Sequence, residues 1–92
     1  MPQWKKPDKS EVYSNRLMIA ERARKAELRL PYAVADFRKS FGLTQEEFAK
    51  LLSMTRRQIT EIETGKANPT LETLEKIGCL FGFVVGFVPR AP

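Results

Sequence analysis

Residues 44–65 read TQEEFAKLLSMTRRQITEIETG. Thr44 to Glu47 is T-x-x-E, the pattern in which a hydroxyl and a carboxylate satisfy each other's free backbone N–H groups at a helix start. Thr55 to Gln58 repeats the device as T-x-x-Q. The spacing predicts one short helix opening at Gln45 and closing near Leu52, and another from Arg56 to about Thr64 with Gly65 as its stop. Only Ser53 and Met54 separate the first helix from the second cap, which forces a sharp turn.

Successive residues of the second helix advance by ~100° around its axis. That gathers Arg56, Arg57, Thr60, Glu61 and Thr64 on one polar face and sets Ile59 and Ile62 opposite. Ala49, small and inside the preceding helix, allows the two to cross closely. A polar helix face is most often simply solvated. A helix steadied from behind by isoleucines also has what a DNA major groove requires: arginine pairs bidentately with guanine, Glu accepts from cytosine N4, and Thr reaches a base or a thymine methyl. The twin caps and the short turn favour this second reading.

Upstream, residues 1–9 hold two prolines and three lysines and read as a flexible basic tail. Ser10 offers an N-cap for a helix from about Glu11 to Arg29. Val12, Ile19, Ala23, Ala26 and Leu30 form one apolar stripe along it, and Tyr13, Leu17, Ala20 and Leu28 a second. Its basic residues, Arg16, Arg22, Arg24, Lys25 and Arg29, scatter around the axis and make no single phosphate-tracking face. Leu30-Pro31 ends the segment, and a further helix spans about Tyr32 to Phe41, burying Ala33, Val34, Phe37 and Phe41 and closing at Gly42.

Downstream, KANP loops to Thr70, and Leu71, Leu74, Ile77, Leu80 and Phe81 mark a fifth helix ending at Gly82. FVVGFV follows, apolar at odd and even positions alike, and reads as a strand buried on both faces. A lone strand leaves its backbone groups unpaired, so the expected partner is the same strand of a second copy, with Phe83, Val84, Val85, Phe87 and Val88 at a homodimer interface.

The whole chain is 92 residues, 42% hydrophobic and 29% charged, which suits one small globular domain. No apolar run approaches the roughly eighteen residues of a membrane span. The single cysteine, Cys79, has no internal disulfide partner and falls in an apolar helical pattern, so a buried core position is expected. That lone cysteine, and an N-terminus without the apolar core of a signal peptide, make a cytoplasmic protein the expectation. With no histidine, one cysteine and two aspartates, neither the usual metal clusters nor nucleophilic triads can be assembled, so no metal, no cofactor and no enzyme activity are expected. Glu46 and Glu47 read as first-turn acids at the positive end of a helix dipole. The net charge of +5 suggests an anionic partner, yet residues 1–31 carry eight Lys/Arg against four Asp/Glu, while residues 32–69 carry six against five.

LTQEEFAKLLSMTRRQITEIETGKANPTLETLEKIG resembles the helix-turn-helix of the Cro/CI-type (XRE) DNA-binding regulators, over roughly residues 32–82. Gln45, Ala49, Leu52, Ile59, Ile62, Glu63, Gly65, Asn68 and Leu74 share one register with that pattern. The resemblance implies that the helix opening at Arg56 is the recognition helix, with Arg56, Arg57, Thr60 and Glu61 as base-contact candidates. It likewise makes Gln45, Thr55, Gln58 and Lys66 candidates for phosphate contacts. Gln45, at a helix N-terminus, has independent physical grounds for that role. Glu63 suits a structural role beside Ile59, with Arg38 a candidate partner.

Two departures stand out: Ser53 occupies a turn position where the family commonly has glycine, and FVVGFV replaces further helix. That tail resembles the C-terminal strand of HipB-like antitoxins, which pairs across the dimer. The expected architecture is all-α with five helices. Residues 1–31 form a basic tail and extra helix, residues 32–82 a helix-turn-helix domain, and residues 83–92 a dimerisation strand and tail. The expected function is a dimeric, sequence-specific repressor of double-stranded DNA. The competing one is an antitoxin that neutralises a partner protein, for which the N-terminal helix is the candidate surface, although such a helix ordinarily packs within its own chain.

Overall fold

A computed structural model of the chain describes residues 8–90, so residues 1–7 of the expected basic tail lie outside the described residues. Five helices follow one another: α1 (Lys9–Arg24), α2 (Tyr32–Ser40), α3 (Gln45–Leu51), α4 (Arg56–Glu63) and α5 (Leu71–Phe81). Both capping boxes form: Thr44 with Glu47 opens α3, and Thr55 with Gln58 opens α4. Thr70 caps α5 by accepting from the Thr73 backbone N–H.

The first helix departs from expectation at both ends. Its N-cap is Asp8, not Ser10, because the Asp8 carboxylate accepts from the Glu11 N–H at 2.8 Å. It closes at Arg24 rather than Arg29. Ala26 turns into the left-handed region (φ 60°), and the Ala26 and Glu27 N–H groups fold back onto the carbonyls of Ala23 and Arg22, both at 2.9 Å. That paired closure ends a helix whatever the apolar pattern beyond it.

Val34, Phe48, Ala49, Leu52, Ile59, Ile62, Ile77 and Phe81 make one buried core spanning α2 to α5. Phe81 is its hub, with ring centroids 5.1 Å from Phe37, 4.6 Å from Phe41 and 5.8 Å from Phe48. Close aromatic packing of this kind adds to what area burial alone contributes. The first stripe of α1 anchors it through buried Ile19. Asn15 Nδ2 donates to the Ser40 carbonyl at 2.9 Å, and Arg22 Nη2 to Asp36 Oδ2 at 3.0 Å. Of the second stripe, Tyr13 and Leu17 stay exposed.

The end of the chain corrects two expectations. Cys79 is exposed, because it lies two residues from both Ile77 and Phe81 and so points away from the face they bury. Residues 83–88 form no strand within the chain, and Val84 and Phe87 are almost wholly exposed instead of buried on both faces. A ladder needs a second strand, and among the described residues this chain has none to give. Phe83 is the exception: its ring packs 4.9 Å from Phe37, so it serves its own chain's core. No described helix is long and apolar enough to cross a membrane.

Candidate nucleic-acid interface

The α3–α4 turn is closed by Ser53 at φ 55°, with the Met54 N–H donating to the Ala49 carbonyl at 2.8 Å. A serine thus holds the left-handed position that glycine adopts without strain. The turn aims Ile59 and Ile62 into the core and leaves the opposite face of α4 open. The Arg56 and Arg57 side chains are 66% and 88% exposed.

Two shallow hollows flank α4. The first, about 540 Å³, is lined by Arg56, Arg57, Thr60, Glu61, Thr64 and Lys66, so all four base-contact candidates meet there with one phosphate candidate. The second, about 600 Å³, gathers Arg38, Lys39, Gln45, Glu46 and Arg56 near the start of α3. Arg56 borders both. Lys39 is a cation that the sequence reading missed; its signal was its place in the last turn of α2, directly before the loop that leads into α3.

Thr55 and Gln58 sit apart from both hollows, at the opening of α4. The Gln58 Oε1 accepts from the Thr55 N–H at 2.8 Å and the Thr55 hydroxyl oxygen accepts from the Gln58 N–H at 3.1 Å. What remains for an anion is the hydroxyl hydrogen of one and the amide N–H groups of the other. Of the proposed dimer residues, Val84, Val85, Phe87 and Val88 are exposed, whereas Phe83 is not.

Electrostatic pairing on this surface is of two kinds. Arg57 Nε lies 3.0 Å from Glu61 Oε1, and Arg56 Nη1 lies 3.7 Å from Glu46 Oε1. Exposed pairs such as these hold weakly and exchange readily for a polyanion. Beneath them, Arg38 and Glu63 form a buried pair, the latter's side chain only 6% exposed. Arg38 Nε donates to Glu63 Oε2 at 2.7 Å, Nη2 to Oε1 at 3.1 Å, and Nη1 to the Leu43 carbonyl at 2.9 Å. Gln45 Nε2 donates to the same Glu63 Oε1 at 3.2 Å, while Gln45 Oε1 lies 3.4 Å from both Arg56 Nε and Thr60 Oγ1.

Residues 34–84 match the family model described as helix-turn-helix. An uncharacterised HTH-type transcriptional regulator of Archaeoglobus fulgidus is 42% identical over 48 residues, which are 52% of this chain and 69% of that protein. Another from Methanocaldococcus jannaschii is 44% identical over 46 residues, covering 50% of this chain and 70% of the relative. The plasmid copy control protein CopR of Streptococcus agalactiae is 39% identical over 51 residues, 53% of this chain and 55% of that protein. No solved structure matches the chain.

Proposed function

The chain belongs to the helix-turn-helix family, and on that premise we propose that it is a sequence-specific DNA-binding transcriptional regulator, acting as a dimeric repressor on a palindromic operator. The observation that carries this reading is the division of α4: buried Ile59 and Ile62 behind, exposed Arg56, Arg57, Thr60 and half-buried Glu61 in front. In this reading the four outward residues read base edges in the major groove. Gln45, Thr55, Gln58, Lys66 and Lys39 hold phosphates and fix the register. The exposed apolar side chains of Val84, Val85, Phe87 and Val88 support tail-to-tail pairing of two copies, and a palindromic operator for such a dimer presents its half-sites about one turn of DNA apart. Selection of bound sequences from random duplexes, with the mass of the free protein measured alongside, tests the proposal. It expects two related half-sites and a dimer. A monomer that enriches no sequence refutes it.

A second reading, an antitoxin that also regulates its own operon, is favoured by one observation: Tyr13, Leu17 and Met18 of α1 are each more than half exposed. Apolar side chains displayed on a helix suit a groove on a partner protein. Purification from the native host decides between the readings. A toxin retained by the parent and lost on Leu17→Lys supports the antitoxin, and purification alone argues against it.

A further inference from the structure

We propose that Glu63, although itself buried, is a positioning residue for base recognition, acting through the orientation of the Gln45 amide; the proposal rests on the DNA-reading function of α4. Three N–H donors converge on its two carboxylate oxygens. Oε2 takes Arg38 Nε at 2.7 Å, and Oε1 takes both Arg38 Nη2 at 3.1 Å and Gln45 Nε2 at 3.2 Å. A carboxylate only accepts. It therefore admits the NH₂ end of the Gln45 amide and repels the oxygen end.

The consequence lies on the other side of the amide. Its oxygen faces α4, where it accepts from Arg56 Nε at 3.4 Å. Engaging Arg56 through Nε leaves Nη2, and Nη1 once its exposed 3.7 Å pair with Glu46 gives way, for a guanine, which they meet as a fork. The single Thr60 hydroxyl hydrogen goes to the Arg56 carbonyl at 3.0 Å in preference to the Gln45 oxygen at 3.4 Å. Were the Gln45 amide to turn over, its NH₂ would oppose the Arg56 Nε–H, donor against donor, and push the guanidinium off its line. The buried pair thus fixes more than the fold. It sets which way round one amide lies, and that amide sets where one arginine points.

The test uses the full chain in two forms. Glu63→Gln replaces the pure acceptor by a group that also donates; because it strands Arg38 it is paired with Arg38→Met/Glu63→Leu, which removes both charges and keeps an apolar core. Two readouts are taken. In the free protein, NMR follows the Gln45 side-chain NH₂ and the Arg56 Nε–H; in the complex, selection from random duplexes gives preference at each base position. The expected result is that both forms stay helical, that the Gln45 NH₂ signals lose the shift and slowed exchange given by the carboxylate, and that preference falls roughly tenfold at the base pair read by Arg56, with other positions unchanged. Unchanged Gln45 signals, or a uniform loss across all positions, overturn the proposal. If the parent protein itself selects no sequence while the Gln45 signals change as expected, positioning of Arg56 stands and it is the DNA-reading function that fails.

Discussion

The Phe83 carbonyl lies so close to Gly78 that a Cβ at residue 78 would stand 2.7 Å from its oxygen. The same two residues are joined by the Phe83 N–H, which donates to the Gly78 carbonyl at 2.8 Å as Gly82 turns through φ 80°. This closure folds the chain back over α5 and brings the Phe83 ring against Phe37. Gly78→Ala is expected to expel that turn, at a cost of about 1–3 kcal/mol, the range for overpacking a tight site. Urea unfolding measures it; parental stability would mean the tail does not seat as described.

The Arg38–Glu63 pair is expected to behave as buried pairs do when one partner is removed. Glu63→Ala leaves a guanidinium uncompensated and should cost about 3–5 kcal/mol, whereas Arg38→Met/Glu63→Leu should lie close to the parent. Thermal unfolding of the three proteins gives the comparison. A mild effect of Glu63→Ala would show that water or another group replaces the carboxylate.

Ser53 holds φ 55° in the α3–α4 turn. Ser53→Gly relieves a Cβ that costs roughly 1–2 kcal/mol in the left-handed region, offset in part by a more flexible unfolded chain. The net expectation is a gain of about 0.5–1 kcal/mol, read from the denaturation midpoint, with operator binding unchanged.

Much of this was legible because caps are local chemistry. T-x-x-E and T-x-x-Q each name their own bonding partners, and the starts of α3 and α4 fall at Gln45 and Arg56 as read. Ile59 and Ile62 declared the buried side of α4 by spacing alone, and Glu63 its cation. What failed depends on conformations that residue type does not announce. Ala26 in the left-handed region ends α1 without the glycine that ordinarily signals such a stop, so the apolar stripe ran on to Leu30 unchecked. FVVGFV has the composition of a buried strand, but burial and pairing both require something outside this chain. Cys79 falls among the apolar residues of α5, yet its helical angle from Ile77 turns it outward.

The exposed tail yields its own expectation. If Val84, Val85, Phe87 and Val88 join two copies, Val85→Lys with Phe87→Lys should convert a dimer to a monomer in analytical ultracentrifugation, with helix content unchanged, since neither side chain is part of the core. Operator affinity should fall with it, because one half-site then binds alone. A dimer that survives both lysines places the interface elsewhere.

Reading of DNA by the outward face of α4 is measured by the ratio of affinities for the selected operator and for a scrambled duplex, before and after Arg56→Ala/Arg57→Ala. Loss of the two base-reading arginines is expected to collapse the ratio by about a hundredfold or more. Weak binding to any duplex should persist and fade with added salt, through the phosphate contacts that remain. A double variant that keeps the parental ratio would show that the outward face of α4 does not read bases.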